Sequence, residues 1–217
     1  LALISDSNSG RQYYALHKPT KQYVVVRVLR KERLLTSPGE LQTIKLEREL
    51  LCTYEHNPER INSPFVCHLK RCFTTSTRLF WVYEYLPSKS LRSLIDRMKT
   101  FPDTHVQLYI GELAVALGVL HEFGYSYNNL TSDHVVLDSK GHIKLVNLRS
   151  LILIIGKCAE LETYSDNSPP LAYISPERVE NKKINGATIA SDWWSLGIIL
   201  YELMFAGKYP FRGDGPS

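Results

Sequence analysis

Several polar side chains lie close together in one loop, Tyr127–His134, and Asn147 follows further along the chain. The loop offers the amide of Asn129, the hydroxyl of Thr131 and the imidazole of His134. An amide cannot take up a proton as a carboxylate does, so Asn129 is poorly suited to act as a general base. Imidazole is a poor ligand for Mg²⁺, which prefers oxygen, and Asn147 supplies only a neutral oxygen. These residues predict weak proton and magnesium chemistry.

Cysteine and histidine spacing predicts no metal centre. The four cysteines contain no C-x-x-C pair, and none of the seven histidines stands at zinc-finger spacing from them. The cysteines do not suggest a disulfide framework either, which indicates a reducing, intracellular compartment.

Composition places the chain among ordinary globular proteins. It has 217 residues, 44% hydrophobic and 22% charged, which is enough to bury a sizeable core. The net charge of +4 comes from scattered residues without a run of like charge, which argues against nucleic acid as the main partner. The longest apolar run, Leu151–Ile155, is far short of the roughly 20 residues that span a bilayer. We therefore expect no membrane span.

The elements that must position these residues fall into two halves. In the first half, β-branched and aromatic residues from Tyr13 to Leu29 predict two strands joined by a hairpin at His17–Lys21. An amphipathic helix is predicted over Glu40–Tyr54. Further strands are predicted over Phe65–Phe73 and Leu79–Tyr85.

Helical periodicity dominates after Leu86. A small hairpin is predicted within this half, with a turn at Lys140-Gly141 between two short apolar stretches. The predicted helices are Ser90–Lys99, Thr104–Phe123 and Asp192–Phe205, and the predicted strands of the hairpin are Val135–Leu137 and Ile143–Leu148.

Four motifs along the chain are typical of one family. Ser191–Gly197 matches D-x-W-S-x-G, and Tyr173–Glu177 matches the A-P-E segment that closes an activation loop. Ser63–Val66 and Leu79–Leu86 are similar to a fourth strand and an approach to the hinge. The chain therefore resembles the AGC group of serine/threonine protein kinases. The resemblance implies a bilobal α+β fold, with an N-lobe of residues 1–86 and a C-lobe of residues 87–217 that stops before its last helices.

The resemblance also implies that the catalytic machinery is degenerate. The Tyr127–His134 loop lies where the group has Y-R-D-L-K-P-E-N, so Asn129 replaces the catalytic Asp and Thr131 replaces a lysine that steadies the γ-phosphate. His134 replaces an Asn that binds metal. Asn147 replaces the Asp of D-F-G.

The nucleotide-binding positions are altered as well. Ser5–Gln12 holds one glycine where the family's loop has three. Arg27 replaces the lysine of V-A-I-K, and Val25 replaces its small Ala. Glu47 matches the helix glutamate that pairs with that lysine, so an Arg27–Glu47 ion pair is feasible, and a purely structural role is the favoured interpretation.

Glu84 and Leu86 complete the remnant nucleotide site at the hinge. Tyr83 matches the gatekeeper position, where it either narrows the pocket or simply packs. We expect no cofactor: ATP binding is weak or absent, and magnesium binding is not expected.

The leading hypothesis is a pseudokinase that acts as a scaffold or allosteric regulator of other proteins, an active kinase among them. The alternatives are a weak or unconventional serine/threonine kinase and a sensor that binds ATP without metal. Leu151–Ile155 either forms an extra buried strand, or binds a partner or fills the nucleotide cleft.

Overall fold

A computed structural model describes residues 2–7, 10–32, 44, 63–67, 69–148, 151–153, 169–180 and 189–211. Within these residues, a five-stranded antiparallel sheet is followed by a mainly helical half. This is the predicted division into two lobes. The division at Leu86 remains a prediction, although it falls in the connection between the last strand of the sheet and the first helix of the helical half.

The sheet contains five strands in the order β1-β2-β3-β5-β4. They are β1 (Ala2–Ser7), β2 (Gly10–His17), β3 (Gln22–Arg30), β4 (Leu69–Thr74) and β5 (Arg78–Glu84). The predicted hairpin between β2 and β3 is confirmed, with Lys21 in a left-handed turn conformation.

The helical half contains four described helices. They are α1 (Leu91–Met98), α2 (Asp103–Glu122), α3 (Pro176–Glu180) and α4 (Ile189–Met204). Ser90 caps α1 by accepting a hydrogen bond from the Ser93 amide, which satisfies one of the free donors of the first turn. Helix α4 begins three residues before the predicted Asp192. None of the helices in the described ranges has the length and apolarity to cross a bilayer.

Short strands complete the helical half. They are β6 (Tyr125–Ser126), β7 (Val135–Leu137), β8 (Ile143–Leu145) and β9 (Ile152–Leu153). The β7–β8 pair confirms the predicted hairpin. β9 pairs with β6, so this part of Leu151–Ile155 is the extra strand, with Leu151 buried before it. Ile154 and Ile155 lie outside the described residues.

One predicted strand starts too early. Phe65, Val66 and Cys67 do not join the sheet but attach to β8 of the other lobe. The Cys67 amide donates to the Leu145 carbonyl at 2.9 Å, and the Leu145 amide donates to the Phe65 carbonyl at 2.7 Å. An apolar run does not reveal which edge it will pair with, so the sequence could not separate these residues from β4.

Each lobe has its own core. The larger core lies in the helical half and includes Leu113, Leu117 and Ile199, all fully buried. The smaller core lies against one face of the sheet and contains Leu29, Ile44, Leu69 and Trp81. Ile44 is the only described residue of the helix predicted over Glu40–Tyr54, and its backbone is helical.

Candidate functional site

Asp192, near the start of α4, holds the backbone of the loop that carries the predicted site residues. Its buried carboxylate accepts hydrogen bonds from the amides of Tyr127 and Asn128 at 2.8 and 2.7 Å. It also accepts hydrogen bonds from Ser126 Oγ and His121 Nε2, each at 2.9 Å. A buried carboxylate needs such donors, and these four hydrogen bonds supply them. Asp192 thereby fixes the start of the Tyr127–His134 loop to α4.

Tyr127 joins this loop to the segment after β8. Its ring is fully buried, and its hydroxyl donates a hydrogen bond to the carbonyl of Val146. Burial raises the pKa of the Tyr127 phenol well above its usual range, so the hydroxyl stays a donor at neutral pH. Asn128 and Asn147, on either side of this contact, both have left-handed backbones with φ of 64° and 59°. Asparagine is among the few residues that adopt this conformation readily.

Asn129, predicted to stand in place of a catalytic Asp, is largely buried. The backbone carbonyl of Asn129 accepts a hydrogen bond from Nδ1 of His134 at 2.8 Å. The hydroxyl of Thr131 lies 3.3 Å from the same nitrogen. The structure therefore brings the backbone carbonyl of Asn129 and the hydroxyl of Thr131 together around the imidazole of His134.

Asn147 and His134 are bonded to each other. Nδ2 of Asn147 lies 2.9 Å from Nε2 of His134. Nδ1 must donate to the Asn129 carbonyl, which only accepts, so in the neutral imidazole Nε2 is the acceptor for the Asn147 amide. Burial lowers the pKa of His134, which favours this neutral form. The two residues predicted to stand at metal-binding positions are therefore hydrogen-bonded to each other.

Arg27 lies in the middle of β3 and is almost completely buried. Its guanidinium stands 4.9 Å from the centre of the Trp81 ring, a cation–π contact across neighbouring strands. Glu47, its predicted partner, lies outside the described residues. The Arg27–Glu47 pair therefore stays a prediction.

At the hinge, Glu84 bonds to the C-lobe. Lys144 Nζ of β8 lies 3.2 Å from its carboxylate, in a largely buried ion pair that joins the sheet to the helical half. Cys67 lies beside this pair, and burial together with the Glu84 charge raises the pKa of its thiol to about 12. Leu86 and Tyr83 are half-buried. The sequence interpretation missed Lys144, because nothing local marks its partner.

The single glycine of the Ser5–Gln12 segment is needed for packing. Strands β1 and β2 pair there, with Ser7 in register with Gly10. Gly10 has a φ of 105°, and a Cβ on it would lie 2.8 Å from both the Leu29 side chain and the Val28 carbonyl oxygen. Only glycine fits this position, whether or not a nucleotide binds.

Glu202 of α4 belongs to a hydrogen-bond network next to the loop. This residue was not singled out from the sequence. Its buried carboxylate accepts hydrogen bonds from the Tyr173 hydroxyl and, at 2.6 Å, from Arg92 Nη1. Ser132 Oγ lies 3.0 Å from the Tyr173 hydroxyl. Burial raises the pKa of Glu202 despite these partners. The network joins α1, α4, the Tyr127–His134 loop and the A-P-E segment. Because these contacts link residues far apart in the chain, no local sequence pattern predicts them.

Comparison with known proteins identifies the class. The family model described as the protein kinase domain matches residues 4–217. Atypical protein kinase C of Drosophila melanogaster is 32% identical over 202 residues, which cover 91% of this chain and 30% of that protein. A protein kinase C-like protein of Cochliobolus heterostrophus is 31% identical over 218 residues, covering 99% of this chain and 17% of that protein. Protein kinase C of Drosophila melanogaster is 30% identical over 220 residues, covering 99% of this chain and 27% of that protein.

This chain belongs to the protein kinase family. Its similarity to protein kinase C sequences confirms the predicted resemblance to the AGC group. The chain spans less than a third of the length of these relatives.

Proposed function

We propose that this chain is a pseudokinase, a catalytically impaired protein kinase domain that acts in intracellular signalling by binding other proteins as a scaffold or allosteric regulator. The observation that carries the proposal is the hydrogen bond between Asn147 and His134. It occupies the two side chains from which an active member of the family would bind metal.

The donor set does not fit magnesium. None of the four substituted positions, Asn129, Thr131, His134 and Asn147, carries a carboxylate. Nε2 of His134 faces an N–H group, and Nδ1 is bonded to a backbone carbonyl. Binding through His134 would break its hydrogen bonds to Asn147 and Asn129 and would offer the ion a nitrogen, which it accepts poorly, while Asn147 could offer only the neutral Oδ1 of its amide.

The proton and phosphate roles are weakened in the same way. Asn129 has no carboxylate to orient a substrate hydroxyl, and Thr131 brings no positive charge to a transferred phosphoryl group. Arg27 keeps a charge near the former lysine position, but its guanidinium stacks on Trp81, which supports a role in packing. By contrast, the Asp192 anchor that shapes the loop is intact. Retained shape with altered chemistry favours a binding role.

The second candidate is a weak or unconventional serine/threonine kinase. The names of the relatives support it, because they are called protein kinase C. Phosphate transfer from ATP is therefore the reaction that we would expect if the site is catalytically active. In that case another residue would have to position the substrate hydroxyl.

Thermal shift with ATP separates the candidates, with the kinase domain of the fly atypical protein kinase C as positive control. A ligand at 100 times its Kd stabilises by about 2.7 kcal/mol. We expect no shift with ATP, either with Mg²⁺ or with EDTA. A shift that requires Mg²⁺, together with transfer of labelled phosphate, would establish the kinase instead. A shift that persists in EDTA without transfer would establish the metal-independent ATP sensor.

A further inference from the structure

The five-stranded sheet has a second apolar face, opposite the one that packs on Ile44. Side chains alternate along each strand, so Leu29 and Trp81 enter the small core while their neighbours Val28 and Phe80 point the other way. We call this second side the outer face. Val24 on this face is buried, but its other apolar members on β3, β4 and β5 are partly or largely exposed, and Phe73 is 51% exposed.

Register makes this apolar surface continuous. One row runs across β2, β3 and β5, and a second row runs across β3, β5 and β4. The rows are Tyr13, Val26 and Val82, followed by Val28, Phe80 and Phe73. The rings of Phe73 and Phe80 stack with centres 4.8 Å apart and planes 9° from parallel.

Arginines border the outer face. Arg30 and Arg78 are cross-strand partners on β3 and β5, and both are exposed. Arg71 is in register with Val82 on the edge strand β4. In the described part of the chain, the structure records no hydrogen bond or ion pair for the guanidinium of Arg30, Arg71 or Arg78. Like charges directly opposite each other destabilise a sheet, so the Arg30–Arg78 pair opposes folding and leaves two positive charges at one end of the outer face.

The five strands themselves contain few carboxylates to balance this charge. Among the five strands, only Asp6 and Glu84 are acidic. Glu84 is already paired with Lys144 of the other lobe. Asp6 is in register with Arg11, at the far side of the sheet from Arg71.

We propose that the outer face binds an acidic amphipathic helix of a partner protein. Aromatic residues and arginines are enriched at protein interfaces, and charge complementarity selects a partner with carboxylates around an apolar stripe. A sheet with two apolar faces is stabilised by a helix on each side, and the inner face already carries the helical residue Ile44. A second copy of this chain, placed face to face, would set arginine against arginine. The inference rests on the proposed binding function and assigns a surface and a partner class to it.

The substitution Arg78→Glu tests the inference because it has opposite effects on stability and binding. It converts a repulsive cross-strand pair into an attractive one, so we expect the Tm of the free protein to rise by about 1–3 °C. The probe is a fluorescein-labelled synthetic helix with leucine on one face and glutamate on the other. We expect saturable, salt-sensitive binding to the wild-type chain and at least tenfold weaker binding to the variant. Because the variant is the more stable protein, unfolding cannot explain the loss.

Arg97→Glu is the matched control, since Arg97 is exposed on α1 and undergoes the same change of charge. It should alter peptide affinity less than twofold. The same peptide with lysine in place of glutamate should not bind. The inference is wrong if the wild-type chain does not bind the acidic helix, if Arg78→Glu binds it equally well, or if sedimentation shows a dimer that Arg78→Glu dissociates. These results are independent of the ATP titration, so the surface and the pseudokinase assignment fail separately.

Discussion

The side-chain amide of Asn147 lies 2.9 Å from Nε2 of His134, and Nδ1 of the same ring lies 2.8 Å from the carbonyl of Asn129. One imidazole thus joins the Tyr127–His134 loop to the segment after β8. In an active kinase a magnesium ion is bound between these two segments. Here the hydrogen bonds of His134 join them, and four predictions concern this arrangement and the scaffold around it.

Two replacements of Asn147 should separate the contributions that its hydrogen bond and its backbone conformation make to the free energy of unfolding. Asn147→Gly removes the amide and leaves the φ of 59° unstrained, whereas Asn147→Ala also forces an alanine into the left-handed region. We expect the free energy of unfolding to fall for both, and by about 1 kcal/mol more for the alanine variant. Urea denaturation measures the difference. Equal or greater stability of Asn147→Ala would contradict the backbone found for this residue.

Acid should weaken the fold through His134. Its folded pKa is lowered by burial, while the unfolded value is near 6.5. Between these two values the unfolded chain binds more protons, so the contribution of His134 is complete above about pH 6.5 and is lost as pH falls toward the folded pKa. Unfolding free energies measured from pH 8 to pH 5 should decrease more steeply for the wild-type chain than for His134→Gln. Identical slopes would show that His134 does not titrate as an isolated buried base.

Removal of the Asp192 carboxylate should be among the most damaging single changes. Asp192→Ala leaves the buried amide of Tyr127 and the hydroxyl of Ser126 without their acceptor, and it breaks the contact with His121. We expect a loss of about 3–5 kcal/mol in chemical denaturation. Asp96→Ala is the control, because Asp96 pairs with Arg92 at the surface and should cost less than about 1 kcal/mol.

Restoring the family's residues should restore metal binding before catalysis. His134→Asn with Asn147→Asp supplies two oxygen ligands and removes the histidine bridge. If the rest of the cleft still accepts nucleotide, ATP should then raise the Tm only when Mg²⁺ is present. Phosphate transfer should require the further changes Asn129→Asp and Thr131→Lys. Phosphate transfer by the unmodified chain would instead contradict the pseudokinase proposal.

Local patterns predicted most of the elements, because they depend on neighbours along the chain. The hairpin of β2 and β3, the helices α1 and α2 and the β7–β8 pair all follow from apolar spacing and turn residues. Prediction was wrong for Phe65–Cys67, which has the composition of a strand and pairs with the opposite lobe. A strand partner is a property of the whole fold, so composition cannot specify it.

The site shows the same division between local and non-local information. The amino-acid sequence alone determined which chemical groups are present: an amide at 129, a hydroxyl at 131, an imidazole at 134 and an amide at 147. It also determined the family, because the motifs at Tyr173–Glu177 and Ser191–Gly197 are specific to it. Only the tertiary structure decided that His134 bonds to Asn147, that Glu84 bonds to Lys144 and that the arginines of β3 and β5 stand opposite each other. Hydrogen bonds and charge pairs depend on distances of a few ångströms between residues far apart in the chain, and folding alone sets those distances.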